Sequence, residues 1–140
     1  MGSRRKGRII AFQSLYRHDL SGAALADLLD FSWLDEERTT SPDTLGFARL
    51  LIQGALENLP EIDELIKGQL ENWDFTRLNR VDLAILRLGV YCLLYQGDIP
   101  ATVTIDEAID ISKAFGTEDS YRFVNGVLDG VRKRLAAIRT

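Results

Sequence analysis

The sequence predicts an all-α fold, a single compact bundle of about seven helices over residues 1–140. The stretch 79–97 (NRVDLAILRLGVYCLLYQG) is apolar on nearly every side when it is wound as a helix, so other elements must cover it. Apolar residues recur at helical spacing through most of the remaining chain. Ser, Asn, Gly and Pro stand where helices would begin and end, and no alternating stretch longer than 101–105 favours a strand.

The central helix has recognisable ends. Asn79 can accept hydrogen bonds from the first turn, and Asp82 places a negative charge there, where the helix dipole favours it. Gly97 provides a left-handed stop, and Pro100 prevents continuation. The stretch is too short, and too interrupted by Asp82 and Arg87, to span a membrane.

The N-terminal part of the chain reads as three helices. The first covers 4–20 and ends at Ser21 and Gly22, a shorter one covers 23–34, and Ser41-Pro42 begins the third. The apolar residues of the first helix lie on one arc, with the arginines of 4–8 one to two turns ahead of it. We therefore expect the arginines to extend beyond the packed body.

The C-terminal part adds three helices around the central one. Pro60 begins one of them, and 73–78 is a connector. After Pro100, Thr104 and Glu107 have the spacing of a capping box. Gly116 ends that helix, and the last helix begins at 117–119; its two glycines each cost about 1 kcal/mol relative to alanine, which close helix packing would offset.

Length and composition indicate one globular domain. A chain of 140 residues buries enough surface to fold without disulfide or metal support. The only cysteine, Cys92, lies in the central helix, so an inert core thiol and a reducing compartment are expected. No apolar leader follows the N-terminal basic residues, which favours a cytoplasmic protein.

Charge is distributed unevenly. The chain has 17 basic and 21 acidic residues, and residues 1–18 hold five of the bases and no acid. The N-terminal segment therefore carries +5 and the remainder −9. Such a chain can bind an anionic partner at one end while repelling it elsewhere.

The basic cluster has two interpretations. It can be a solvated tail, or it can contact phosphates, with Tyr16 available for base stacking. Single-stranded RNA suits the second interpretation better than duplex DNA, because no recognition-helix turn is evident. Spacing alone places Tyr121 and Phe123 in the core more readily than on a stacking surface.

The sequence offers little for catalysis. His18 is the only histidine, and no second His or Cys is positioned to complete a metal site. No phosphate-binding or dinucleotide-binding glycine pattern and no nucleophile elbow occur. The acid pairs 106–107 and 118–119 are explained by helix N-termini. We expect a non-enzyme without cofactor or metal.

Several motifs resemble those of the NusB family of bacterial transcription antitermination factors. The N-terminal RRKGR of residues 4–8, followed by Leu15-Tyr16, is similar to the arginine-rich first helix of that family. IDEAI at 105–109, KAFG at 113–116, EDS at 118–120 and FVNGVLD at 123–129 are similar to its last two helices. The resemblance extends over essentially the whole chain and is most specific over 98–129.

This resemblance implies a fold of two packed halves that binds single-stranded boxA RNA jointly with NusE, a small-subunit ribosomal protein, in ribosomal RNA operon transcription. Other antitermination components, RNA polymerase among them, are implied as partners. Residue by residue, the resemblance implies RNA contacts by Arg4, Arg5, Lys6, Arg8, Tyr16 and Phe123, and NusE contacts by Asp82 and Asp119. Asn125 and Gly126 are expected to be structural.

The chain departs from the family at two places, and two other functions compete. Cys92 replaces a common glutamate, and Gln69 stands where some relatives carry an aromatic RNA contact, so no RNA residue is assigned within 67–76. One competing function is that of a stand-alone relative of the RNA-binding domain of some RNA methyltransferases. The other is a helical protein–protein adaptor whose basic tail is incidental.

Overall fold

Seven α-helices form the part of the chain that the computed structural model describes, residues 3–35, 39–71 and 74–139. They are α1 (Ser3–Ser21), α2 (Leu25–Leu29), α3 (Pro42–Glu57), α4 (Leu59–Lys67), α5 (Arg80–Tyr95), α6 (Ala101–Phe115) and α7 (Ser120–Arg139), with a 3-10 turn at Phe75–Arg77. The described residues contain no strand. The predicted all-α fold is confirmed. Trp73 of the predicted connector lies outside the described residues.

Helix α5 occupies the centre. It contacts α1, α3, α4, α6 and α7, and eleven of its sixteen residues are buried. Helices α1–α3 form one half of the molecule and α4–α7 the other, so α5 packs against both. Within the described residues no helix, α5 included, combines the length and apolarity needed to cross a membrane.

The helix ends match the sequence signals in most places. The Asn79 side chain accepts hydrogen bonds from the Val81 and Asp82 amides, and the Ser41 hydroxyl accepts one from Thr44. Gly22 has φ of +67°, and its amide donates to the His18 carbonyl at 2.9 Å. The predicted left-handed stop at Gly97 is wrong. Helix α5 already ends at Tyr95, and among the described glycines Gly22 has the positive φ.

Two predicted elements have different bounds in the structure. Helix α2 is only five residues long, because the chain turns at Phe31, whose φ of +57° is unusual for a bulky residue and is held by complete burial of its ring. Helix α6 begins at Ala101, so Thr104 lies inside it, and the predicted capping box is wrong. Burial of Thr104 and Ile105 outweighs the poor helix propensity of this β-branched run.

Glycines allow helices to approach closely at specific points. A methyl group at position 7 would lie 2.7 Å from a Phe47 ring carbon, and one at position 89 would lie 2.9 Å from Leu128. Gly130 likewise faces the Gln69 side chain at close range, as predicted for the last helix. Gly126 faces open space, and Asn125 beside it is exposed, so close packing does not explain either.

An ion-pair network joins α1, α4 and α5. The Arg87 guanidinium donates to both oxygens of Asp63, each at 2.9 Å, and lies 3.5 Å from Asp19. Arg80 also reaches Asp19, at 3.4 Å. Only 11% of the Arg87 side chain is exposed, so its charge depends on these carboxylates. These ion pairs link α5 to α1 and α4 in addition to the apolar contacts that hold α5 in place.

Replacing Leu86 by alanine tests the central position of α5. Leu86 is fully buried, so truncation should lower the free energy of unfolding by about 2–5 kcal/mol. Leu93→Ala, at 7% exposure, should behave similarly. Urea titration followed by circular dichroism measures both. Near-wild-type stability in the two variants would contradict the placement.

Candidate nucleic-acid interface

The basic residues begin α1, which runs between α3 and α6. Arg4 is exposed, and its guanidinium lies 4.2 Å from the centre of the Phe47 ring of α3. A cation over an aromatic face is held in orientation while it keeps its charge and its outward hydrogen-bond donors. Arg4 is therefore a solvent-exposed cation at the edge where α1 packs against α3.

Arg5 lies on the α6 side of the same turn. Its guanidinium is 2.8 Å from the Asp110 carboxylate and 3.3 Å from that of Glu107, and 44% of the side chain is exposed. These carboxylates raise the pKa of Arg5, with the Glu107 hydrogen bond as the largest cause. Exposed ion pairs of this kind contribute little to stability, so another anion can replace the acids.

Contrary to expectation, Arg8 does not extend beyond the packed body. Only 11% of its side chain is exposed, and its guanidinium lies 3.9 Å from Glu107 and 5.7 Å from the Phe47 ring centre. The side chain lines a small crevice together with Leu88 and Cys92 of α5. For Arg8, the expectation that the arginines of 4–8 extend beyond the packed body is therefore wrong.

Lys6 and Tyr16 lie on the outward face of α1. Both line a groove of about 700 Å³ between α1, the segment after α2, and the end of α6. Arg17, Trp33 and Phe115 line the same groove, and the Arg17 guanidinium lies 5.0 Å from the Trp33 ring centre. Phe115 is 42% exposed, although its ring is 5.3 Å from that of Phe12. This face thus holds both aromatic rings and cations.

Phe123 lies in the first turns of α7 and is half-buried against the core. Spacing predicts that this ring lies in the core, whereas the resemblance implies that it contacts RNA. A half-buried ring is compatible with both. Tyr121, two residues earlier, lies between Lys113 and Arg122, whose charged groups are 5.2 and 5.5 Å from its ring centre. This end of α7 therefore presents aromatic and cationic groups together.

Asp82 and Asp119 occupy different environments. Asp119 is exposed in the turn before α7, whereas Asp82 is only 7% exposed. The Ser120 hydroxyl accepts from the Thr117 amide at 2.9 Å, and within the described residues the buried Oδ1 of Asp82 has no hydrogen-bond partner. Burial raises the pKa of Asp82, and the Ser120 hydrogen bond opposes this rise. Ser120 thus links the buried Asp82 to the turn that contains Asp119.

The remaining thiol and imidazole are structural. Cys92 is buried as expected, and burial raises the pKa of its thiol to about 12. The His18 Nδ1 lies 3.0 Å from the Ala23 carbonyl at the end of α1. Neither residue faces the groove, so the chemistry of this surface is that of cations, aromatic rings and carboxylates.

Sequence reasoning missed several residues of this surface. Glu107 and Asp110 were assigned to a helix end or left out, yet they meet Arg5 at 102 and 105 positions' separation. Phe115 and Trp33 are not among the site residues that the sequence predicts, yet both line the groove. Arg17 was counted only as charge. No signal in the sequence pairs Arg17 with Trp33, because that pairing depends on the turn at Phe31.

Comparison with known proteins relates the chain to a family. The sequence model described as the NusB family matches residues 5–133. The chain is 51% identical over 131 residues to the transcription antitermination protein NusB of Treponema denticola, covering 94% of this chain and 96% of that one. A solved structure of T. maritima NusB superposes with a TM-score of 0.84 at 45% identity, covering 93% and 90%. A structure of antitermination factors NusB and NusE in complex with dsRNA gives 0.83 at 31%, covering 94% and 97%.

The raised pKa of Asp82 predicts a pH-dependent stability. The folded chain holds the Asp82 proton more tightly than the unfolded chain, so stability should fall as pH rises from the unfolded pKa near ~4 through the raised folded pKa. Asp82→Asn cannot titrate and should flatten this fall while Asn still accepts from Ser120. Ser120→Ala removes the opposing hydrogen bond and should steepen it. Thermal unfolding between pH 4 and about pH 8 measures both slopes, and equal slopes would contradict the assignment.

Proposed function

The chain belongs to the NusB family, and we propose that it is a transcription antitermination factor that binds boxA-type single-stranded RNA together with NusE in ribosomal RNA operon transcription. Relatives named as transcription antitermination proteins support the role, and a related NusB solved with NusE and RNA supports the partners. The complex would act with RNA polymerase and further antitermination components in the cytoplasm. Its activity would be binding rather than catalysis.

The observation that carries the proposal is the position of Arg4 and Arg5. They are exposed cations at the start of α1 on a chain whose net charge is −4, and Lys6, the next residue, lines a groove that also holds aromatic rings. Phosphates of an RNA strand would pair with the guanidinium groups, and unpaired bases would stack on the rings. Lys6 and Arg8 extend the positive charge along the same helix, and Tyr16 and Phe123 add aromatic surface.

Binding would exchange the partners of Arg5. In the free protein its guanidinium meets Glu107 and Asp110, and a phosphate would displace at least one carboxylate. Because the pairs are exposed, this exchange costs little, whereas each phosphate contact also releases counterions from the RNA. The acids of α6 therefore orient Arg5 in the free protein without blocking it.

NusE would meet the acidic turn before α7. Glu118 and Asp119 are exposed there, and the buried Asp82 holds the turn through Ser120. Carboxylates on an ordered turn complement basic side chains of a protein partner. Asp82 then contributes to NusE binding by positioning Asp119 rather than through a large contact area of its own.

A pure protein–protein adaptor and a relative of the RNA methyltransferase appendages are the competing functions. An adaptor would bind NusE without distinguishing RNA sequences. The methyltransferase-type appendage would bind RNA without gaining affinity from NusE. Measuring boxA and scrambled RNA affinity, each with and without NusE, separates all three. A duplex of the boxA sequence should be included as a further RNA, since the related complex contains dsRNA.

Removing two of the cations should change the salt dependence of RNA binding. Each phosphate contact on single-stranded RNA contributes about −0.7 to the slope of log affinity against log salt. Arg4→Ala with Arg5→Ala should therefore flatten the slope by about 1.4 and weaken boxA and scrambled RNA by similar factors. Fluorescence anisotropy at several salt concentrations measures this.

Arg77→Ala is the control, because its side chain is 86% exposed and lies in the connector before α5. It should leave the slope within error of the wild type. Arg8→Ala should also lower thermal stability, because its stem is packed, and is therefore kept out of the double variant. A folded Arg4/Arg5 variant with unchanged affinity and slope would show that the basic cluster is a solvated tail.

Reversing the charge of the acidic turn should weaken the affinity for NusE and leave the affinity for RNA unchanged. Asp119→Lys is an exposed change and should weaken NusE association several-fold while RNA binding without NusE stays unchanged. Asp43→Lys, on the first turn of α3, is a control with the same charge change. Isothermal titration with NusE measures the difference. Equal NusE affinity in both variants would place the partner elsewhere.

A further inference from the structure

The groove beside α1 has the parts of a nucleotide-binding site, and we propose that it takes one nucleobase of the bound RNA strand and its adjoining phosphate. The inference rests on the proposed RNA binding and adds Arg17, Trp33 and Phe115 to the residues that perform it. None of these was among the residues expected to contact RNA. Their common feature is their position along one groove.

Stacking surfaces lie on more than one side of the groove. Trp33 comes from the segment after α2, Tyr16 from α1, and Phe115 from the end of α6. Phe115 is 42% exposed although it stands on a helix whose other large apolar residues are mostly buried. An exposed ring beside two others suits a base, since every base has an apolar face and stacks without sequence preference.

Cations stand where the phosphate would lie. Arg17 is exposed, with its guanidinium 5.0 Å from the Trp33 ring centre, and in the described part of the chain it meets no carboxylate within ion-pair distance. Lys6 lines the same groove three helical turns earlier. A guanidinium stacked on an indole ring presents a planar surface. Its outward N–H groups remain able to donate hydrogen bonds to an anion.

Polar groups for the base edge are also present. Gln13 of α1 lines the groove and can both donate and accept hydrogen bonds. Asp35 also lines the groove, and its carboxylate accepts only, so it favours an amino or imino group of a base over a phosphate. The groove therefore distinguishes a nucleotide from a simple anion.

Two pairs of matched variants test the assignment with boxA-type single-stranded RNA. Phe115→Ala should weaken binding roughly 5- to 150-fold with the salt slope unchanged, because a stacked base is lost. Val103→Ala is its control, at 43% exposure on the same helix and away from the groove. Arg17→Ala should flatten the salt slope by about 0.7. Arg49→Ala is its control, because that guanidinium lies 5.1 Å from the Phe31 ring centre and outside the groove.

Tryptophan emission gives a second readout that does not depend on measured affinity or salt slope. In a Trp73→Phe background the emission reports Trp33 alone, since the chain has two tryptophans. Saturating RNA should quench it in the wild-type groove, and Phe115→Ala should reduce the quenching at equal occupancy. Circular dichroism and thermal unfolding confirm that each variant is folded.

The outcomes separate this inference from the proposed function. If folded Phe115→Ala and Arg17→Ala bind with wild-type affinity and slope while Arg4/Arg5 replacement weakens binding, the groove is not a base site although the protein binds RNA. Unchanged Trp33 emission at saturating RNA leads to the same conclusion. If the wild-type protein binds none of the RNAs, alone or with NusE, the proposed function fails and the groove assignment fails with it. Weakening confined to the groove variants, with the two controls unaffected, supports the inference.

Discussion

Helix α5 has almost no side that can face water, and the other helices are arranged to satisfy that requirement. Its buried residues contact α1 and α3 on one side and α4, α6 and α7 on the other. The charge that it carries on its otherwise apolar middle, Arg87, is held by Asp63 of α4 and Asp19 of α1. Apolar burial fixes the positions of the helices, and the two carboxylates fix how α1 and α4 are turned toward α5.

The surface chemistry of α1 follows from this placement. One side of α1 must pack against α5 and α3, as Gly7 does at Phe47, so its charged and polar residues fall on the sides that α5 and α3 do not cover. Arg4 and Arg5 then fall at its two edges, each oriented by a neighbouring helix, through Phe47 of α3 and Asp110 of α6. The same helix thus stabilises the fold and presents the cations. Arg8 does both, because its side chain is packed and its guanidinium adds positive charge.

The helices, the central position of α5 and most caps follow from periodicity and capping residues. Tertiary effects could not be predicted in the same way. The turn at Phe31 depends on burial of its ring, and the early start of α6 depends on packing of Thr104, which local propensity does not contain. The basic cluster was evident as composition, but the pairing of Arg5 with acids more than 100 residues away requires the fold. So does the meeting of Arg17 with Trp33.

The state of Cys92 has a practical consequence. Its thiol is buried and has a pKa of about 12, so at neutral pH it is almost wholly protonated and out of reach of maleimide reagents. A cysteine introduced on the surface would therefore be the reactive one in a chain that otherwise has a single thiol. Fluorophores or spin labels can be attached at chosen positions without replacing Cys92, which leaves the centre of the bundle intact while distances to a bound partner are measured.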